Sequence, residues 1–291
     1  TAAKNLSPFD VNMAIDAGWS NCIPYISVEN DEVQALVQDA IFSRGPSGVK
    51  RTGIFFGGRD MHDAMEMMKI CEKSMVPPFE VSAFADPSGA FTTAAGMLAA
   101  VEKALQDKFD TDLKGKTVAA LGGTGPVGMA GAVIAAKAGA DVTIFGRQKD
   151  KSQRIAGICN AEYGSGKTDI KGEAIDTLDS VIGNVDVILA TASAGIEVMS
   201  RDLVLKAGNL KVAADVNAVP PSGIAGLGVM DNAAPIDDSP SGAVGIGALA
   251  IGNVKYQTQN ILLKQMCETD KPIYLHFEHA FEVAREYVHK K

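Results

Sequence analysis

The stretch that decides the fold is Lys114–Lys151, KGKTVAALGGTGPVGMAGAVIAAKAGADVTIFGRQKDK. Val118-Ala-Ala-Leu121 carries a short apolar strand signal. A glycine-rich turn follows, in which Gly123-Thr124-Gly125-Pro126-Val127-Gly128 keeps the G-x-G-x-x-G spacing. An alanine-rich helix then runs to about Lys137, Gly139 stops it, and a second strand runs from Asp141 to Phe145. The spacing has a mechanical meaning. Gly123 is expected to permit a tight turn, Gly125 to let backbone N–H groups approach a pyrophosphate, and Gly128 to let the helix lie close on the sheet. The helix N-terminus adds partial positive charge that favours phosphate. Alone the fingerprint is weak; between a strand and a helix, with a second strand behind it, it predicts a bound dinucleotide.

The end of the second strand bears on which one. A carboxylate there would take a ribose 2′-hydroxyl. This chain instead reads Phe145-Gly146-Arg147-Gln148-Lys149, with Lys151 close behind. Asp141 stands at the leading end of the strand, and Asp150 falls in the next turn. Arg147 is planar and permanently charged, suited to a 2′-phosphate and to stacking on adenine. The reading is NADP, or tolerance of NADP and NAD; the bland alternative makes Arg147 and Lys151 ordinary solvated charges.

Working outward, residues 1–106 alternate helices and strands, as an α/β domain should. Ser7-Pro8 reads as a helix start, Asp31–Phe42 as an amphipathic helix, Thr52–Phe56 as a buried strand, and Asp60 as the cap of a Met-rich helix whose Met61, Met65 and Met68 are core filler. Glu80–Ala85 is a further strand. It leads into Asp86-Pro-Ser88-Gly-Ala-Phe-Thr92-Thr93, which places Asp86, Ser88, Thr92 and Thr93 at the carboxyl edge of a sheet, where open α/β sheets bind ligands. The alternative for Asp86 and Ser88 is helix capping. Beyond Lys151 the nucleotide domain continues through the strands Asp186–Ala190 and Val212–Asn217. Thr191, Ala192 and Asn217 stand at their ends, where the nicotinamide half would lie. Gly242–Asn253 reads as an apolar glycine-rich stretch with room for a ligand, Lys255 as a residue in the first turn of the helix Val254–Cys267, and Leu275–His289 as the last helix. Tyr163–Lys167 and Asp231–Ser241 read as the widest flexible loops. The expected plan is therefore two domains: an α/β substrate domain of residues 1–106 plus 272–291, and a C-terminal Rossmann-type parallel sheet over 107–271, with a cleft between them.

Composition agrees. At 291 residues two domains are the prior, and 46% hydrophobic with 21% charged residues describes a globular protein. A net charge of −8 argues against a nucleic-acid or anionic-membrane partner. No apolar run approaches transmembrane length, and no signal peptide is visible. Cys22, Cys71, Cys159 and Cys267 are scattered, with no metal-ligand spacing, and read as reduced packing cysteines of a cytoplasmic protein. His276 and His279 share a helical face with Glu278 and Glu282, a pattern that is more often solvated or capping than metal-binding, so no metal is expected.

Six ordered blocks carry a resemblance: SPFDVNMAIDAG at 7–18, FADPSGAFTTAAG at 84–96, GGTGPVGM at 122–129, GRQKDK at 146–151, DVNAVPPSGI at 215–224 and IGALAIGNVK at 246–255. Together they resemble the NAD(P)-dependent methylene-tetrahydromethanopterin dehydrogenases of one-carbon-metabolising bacteria, in the methanopterin-specific branch. The family has a strand before its first helix, whose counterpart is expected ahead of Thr1. The resemblance implies hydride transfer from methylene-tetrahydromethanopterin to NADP or NAD, a cytoplasmic homo-oligomer, and a pterin bound between the domains. It carries over the glycine fingerprint and Arg147 as cofactor groups, Lys255 as a lysine near the pterin, and, less directly, Asp10, Asp16 and the Thr92-Thr93 pair. The rival enzyme reading is a methylene-tetrahydrofolate dehydrogenase; the rival of another class is an NADP-binding sensor without turnover.

The chemistry suits such a chain. The reacting carbon lies between two nitrogens whose lone pairs spread the positive charge left when hydride departs. No O–H proton is removed, so no general base is required. The protein must hold the two carbons at near-attack distance, worth ~7 kcal/mol or more of barrier, and keep water off the cation. Lys255 is then a positioner, and Asp10 or Asp16 a hydrogen-bond acceptor for the amino-pyrimidine edge of the pterin.

Overall fold

A computed structural model describes residues 1–164 and 169–290; residues 165–167 of the expected Tyr163–Lys167 loop lie outside them. In chain order the elements are α1 (Pro8–Asp16), α2 (Val33–Phe42), the single turn α3 (Pro46–Val49), β1 (Gly53–Phe56), α4 (Met61–Lys73), β2 (Ser82–Ala85) and α5 (Ala90–Phe109). Then come β3 (Thr117–Leu121), α6 (Pro126–Lys137), β4 (Asp141–Gly146), α7 (Lys149–Tyr163), β5 (Lys171–Ala174), α8 (Leu178–Val181), β6 (Val187–Ala190), α9 (Arg201–Lys206) and β7 (Val212–Asp215). The chain closes with β8 (Asn232–Pro235), β9 (Val244–Ile246), α10 (Ala248–Glu268), β10 (Tyr274–Leu275) and α11 (Phe277–His289).

Backbone contacts divide the chain into two compact units, Thr1–Thr92 with Tyr256–Val283, and Thr93–Lys255 with Ala284–Lys291. The divisions fall inside α5, α10 and α11; the expected ones lie at 106/107 and 271/272.

In the first unit, β1, β2 and β10 form a three-stranded parallel sheet in the order β1-β2-β10. β2 is buried along its whole length, with Phe84 at 0% exposure, and Phe91 meets Phe277 edge to face at 5.3 Å. The α4 start is capped as its sequence requires: Asp60 Oδ1 accepts from the His62 and Asp63 N–H groups. Met61, Met65 and Met68 are buried packing residues, as expected. The last strand was not anticipated. Tyr274-Leu275 pairs in parallel with Ala83-Phe84, so the final helix begins at Phe277 and not at Leu275.

The second unit holds a seven-stranded sheet in the order β5-β4-β3-β6-β7-β9-β8, with β8 antiparallel at the edge. The other six strands are parallel and follow the doubly wound order that places a topological switch between β3 and β6. β3 and β6 read as continuous apolar runs because helices bury both faces of such a sheet. Among α6's buried residues are Ala130, Ala132, Ala135 and Ala136, which suit a helix packed close on strands.

Two local expectations are corrected. Gly242–Asn253 is not an open glycine-rich stretch. It contains β9 and the first turns of α10, and the space beside its two inner glycines is filled by the chain itself: a Cβ at Gly247 would overlap Gly228 O, and one at Gly245 would lie 3.1 Å from Leu227, whereas one at Gly242 or Gly252 would meet nothing within 4 Å. The expected flexible loop Asp231–Ser241 contains β8. Among the described residues no helix is long and apolar enough to cross a membrane.

Candidate functional site

The glycine-rich turn lies at the carboxyl end of β3, beside the switch. Thr191, the first residue after β6, donates its N–H and its hydroxyl to Leu121 O at 2.8 and 3.1 Å. One glycine role differs from the expected one. The tight turn is made at Gly122, which has φ +72. A Cβ there would stand 2.6 Å from Ala192 Cα, so the turn and the loop after β6 touch through backbone. Gly123 serves close approach instead, since its Cβ would lie 2.8 Å from Ala120 O. Gly128 is the helix–strand contact: its Cβ would run into Gly123 Cα and come within 2.7 Å of Thr191 Oγ1. Gly125, the N-cap of α6, has an ordinary extended backbone, and its Cβ would find nothing nearer than Gly122 O at 3.8 Å. It is open towards whatever binds. Pro126 takes the first helical position, leaving the N–H groups of Val127 and Gly128 at the start of α6. Thr191 and Ala192 are thus brought to the turn, whereas Gly122, absent from the G-x-G-x-x-G match, was missed because its φ is invisible in the spacing.

Arg147 and Gln148 follow β4, and Lys151 sits in the first turn of α7. These three and Thr124 line a pocket of about 430 Å³. No carboxylate lines it. Lys149 is drawn aside by Glu173 at 2.9 Å, while among the described residues Arg147 and Lys151 have no ion-pair partner. Two unengaged cations, a hydroxyl, an amide and a helix N-terminus suit a phosphate monoester. A second pocket, about 240 Å³, lies in the first unit among Lys50, Glu80, Asp270 and Lys271. Its four charged lining residues are balanced, two of each sign.

Asp215, the last residue of β7, is 1% exposed. Burial pushes its carboxyl up, opposed by N–H groups of Asn217, Gly223 and Ile224. Asn217, expected to face the cofactor, is 6% exposed and spends its side chain on the protein: Oδ1 accepts from Gly195 and Val219, and Nδ2 donates to Pro221 O.

The expected substrate residues divide. Asp86 is fully buried and caps α5, accepting from the Phe91 and Thr92 N–H groups at 2.9 and 3.2 Å and from Thr92 Oγ1 at 2.6 Å. The capping alternative therefore accounts for Asp86 and for the Thr92 hydroxyl. Ser88 is exposed, sits at φ +53 and donates to Gly58 O. Thr93 is half-buried. Asp10 is buried on α1 and accepts from Gln259 Nε2 at 2.8 Å, and Gln259 itself is fully buried. No sequence signal singled out Gln259. Asp16 is exposed.

Lys255 is not in the first turn of its helix. α10 begins at Ala248, so Lys255 stands about two turns in, and an unfavourable helix dipole lends it no special status. It is half-buried, and a Cβ on Gly96 would lie 3.0 Å from its backbone nitrogen. The Gly96 of the FTTAAG block is thus what lets α5 approach α10 at this lysine. His276 and His279 act locally at the start of α11, their Nδ1 atoms accepting from the Glu278 and His276 N–H groups at 3.4 Å.

Over residues 8–88 the chain matches the family described as methylene-tetrahydromethanopterin dehydrogenase, N-terminal. It is 44% identical over 287 residues, 98% of this chain and 96% of the other, to the NAD(P)-dependent methylenetetrahydromethanopterin dehydrogenase of Methylorubrum extorquens. The chain belongs to the methylenetetrahydromethanopterin dehydrogenase family. A second protein of that organism, bifunctional protein MdtA, is 30% identical over 96% of this chain and 94% of its own length. Among solved structures, quinate dehydrogenase from Corynebacterium glutamicum in complex with NAD aligns over 95% of this chain and 93% of its own, with a TM-score of 0.50 and 10% identity. That likeness shows the mixed α/β dehydrogenase fold. Family membership fits the site as built: a switch-point turn with open backbone, and a carboxylate-free pocket at the end of β4.

Proposed function

We propose that this chain is an NAD(P)-dependent oxidoreductase that takes a hydride from methylene-tetrahydromethanopterin and leaves methenyl-tetrahydromethanopterin, without general acid–base catalysis. The observation that carries the reading is the 44% identity across 98% of the chain to a relative of that name. The geometry supports the cofactor half. When bound, the dinucleotide supplies the hydride acceptor. Val127 and Gly128 would offer N–H groups to its pyrophosphate, Gly125 leaves the approach open, and Arg147, Lys151 and Thr124 would receive a 2′-phosphate. Thr191 and Ala192 would border its inner half. The pocket by β4 favours NADP; NAD remains acceptable because the pyrophosphate groups of the turn would serve either dinucleotide.

For the pterin, Lys255 and Asp10 are the groups we assign. The half-buried ammonium of Lys255 would hydrogen-bond a carbonyl oxygen and position the carrier. A cation beside a developing cation opposes the reaction, so it moves no proton. Asp10, oriented by Gln259, would accept from the amino-pyrimidine edge. Asp16 and Thr93 remain further candidates, and Asp86, Ser88 and Thr92 would act by shaping the edge of β2. We place the enzyme in the cytoplasm, as four free cysteines suggest, and read it as a homo-oligomer of residues 1–106 plus 272–291 for substrate and 107–271 for cofactor.

The test is reduction of NADP and NAD, followed by absorbance, with methylene-tetrahydromethanopterin and methylene-tetrahydrofolate side by side. Turnover with the first carrier at much higher kcat/KM is expected. Preference for the folate carrier would establish the rival enzyme, and cofactor binding without turnover on either would leave a sensor. Replacing Lys255 by Ala should lower kcat/KM by about tenfold to a hundredfold, the scale of a lost charged hydrogen bond; an unchanged value removes it from the site.

A further inference from the structure

We infer that Asn217 is a positioning residue, a side-chain brace that joins the two loops at the nicotinamide end of the site; the inference rests on the dehydrogenase reading above. Asn217 stands two residues beyond β7. Its Oδ1 accepts from Gly195 N–H at 3.1 Å, in the loop after β6, and from Val219 N–H at 3.0 Å, in the loop after β7. Its Nδ2 donates to Pro221 O at 2.8 Å. An amide oxygen has two lone pairs, and both are taken. Asn217 is itself fixed by Asp215, whose Oδ1 accepts from the Asn217 N–H at 2.9 Å and whose Oδ2 accepts from Gly223 N–H.

The need for a side chain here follows from where backbone ties stop. Further from the sheet, the two loops are joined directly: Val198 and Met199 N–H groups donate to Gly223 O at 2.8 and 3.0 Å. Next to the sheet, Val216 N–H donates to Ala190 O at 3.2 Å. Between these anchors no backbone–backbone hydrogen bond among the described residues joins the stretch around Gly195 to the stretch around Val219, and a Cβ added at Gly195 would still stand 3.6 Å from Pro220 O. Asn217 supplies the missing cross-link there. The same stretch presents Ile196 and Val219, each about half exposed, as an apolar edge. A misplacement of about 1 Å at such an edge costs hydride transfer on the order of a hundredfold, because the reacting carbons leave near-attack distance. The brace therefore acts on the inner half of the cofactor site and not on the pocket of Thr124, Arg147 and Lys151.

Asn217→Ala tests this with three readouts. Adenosine 2′,5′-bisphosphate, which carries only the adenine-end groups, should bind within about twofold of wild type. The kcat should fall by about tenfold or more while KM for NADP changes by about threefold or less, the split expected when only near-attack geometry is lost. In the wild-type protein, hydrogen exchange should find the Gly195 and Val219 amides protected, and in Asn217→Ala both should become fast together. An unchanged kcat overturns the brace, as does a loss of bisphosphate affinity equal to the loss of kcat, which marks general damage. Free exchange of both amides in wild type overturns it too, and that measurement decides the matter if the variant does not fold. Absence of turnover in wild type with the methanopterin carrier refutes the dehydrogenase reading instead, and exchange with bisphosphate binding then judges the brace alone.

Discussion

Gly125 and Gly128 should fail in opposite ways when each is changed to Ala. At Gly128 the added methyl would collide with Gly123 Cα and stand 2.7 Å from Thr191 Oγ1, and most of what it meets is backbone that cannot rotate away. Overpacking costs about 1–3 kcal/mol, and contact with backbone that cannot yield puts this case at about 2–3 kcal/mol, against which a helical Gly→Ala change returns about 0.8–1 kcal/mol. The net loss is about 1–2 kcal/mol, or a Tm lower by roughly 2–8 °C for a unit of this size. At Gly125, φ −88 and ψ 168 suit any residue, and the nearest neighbour of the methyl is 3.8 Å away. Stability should therefore stay within about 0.5 kcal/mol of wild type. The methyl instead occupies the approach to the α6 N–H groups. Loss of one charge-assisted hydrogen bond there is worth about 1.5–3 kcal/mol, roughly a tenfold to 150-fold rise in Kd for NADP. Thermal melts of the cofactor-free variants and a fluorescence titration with NADP read both quantities. A Gly125→Ala variant that binds NADP as wild type does would refute close backbone approach at the turn. A Gly128→Ala variant that melts with wild type would refute the packing argument.

Arg147→Ala should raise KM for NADP by about tenfold and leave KM for NAD nearly unchanged, since only NADP carries the extra phosphate; parallel changes would sink the 2′-phosphate role. Cys71 and Cys159 are fully buried, and burial pushes both thiols up to about 12, with Glu72 adding to the effect at Cys71. Ellman's reagent at mildly alkaline pH should therefore modify Cys22 and Cys267 in the folded protein and reach Cys71 and Cys159 only in denaturant. The Cys22 reaction should be slow for an exposed thiol, because partial burial and the neighbouring Asp10 carboxylate raise its pKa. Asp215 binds its proton more tightly folded than unfolded, because burial raises its pKa. Its contribution to stability is full below the ordinary carboxylate pKa and declines as pH rises towards the raised value. The melting temperature of wild type relative to Asp215→Asn should fall over that interval, and a flat or rising difference would contradict the burial effect.

The sequence by itself determined the β3–α6–β4 part of the nucleotide unit, because its signals are local. A strand, a glycine turn, an alanine-rich helix and a stop glycine each follow from spacing, and α6 and β4 fall within a residue of the expected bounds. The cap at Asp60 and the absence of a carboxylate after β4 are local in the same sense. Other features exist only through partners distant in the chain. Lys171–Ala174, Asn232–Pro235 and Tyr274–Leu275 are short and mostly polar or small, and become strands because a neighbour supplies the hydrogen bonds. The glycine-rich stretch before Asn253 looked open because periodicity cannot show that residues 227–229 fill the space beside it. It hid the true start of α10, and with it the position of Lys255. The cap at Asp86 is legible as an alternative, since its partners are five and six residues on, but Asn217 reads only as a polar group at a strand end, and its partner Gly195 is 22 residues away. Whether such a group faces a ligand or the protein depends on which N–H groups the fold leaves unpaired around it, and that was decided by tertiary structure alone.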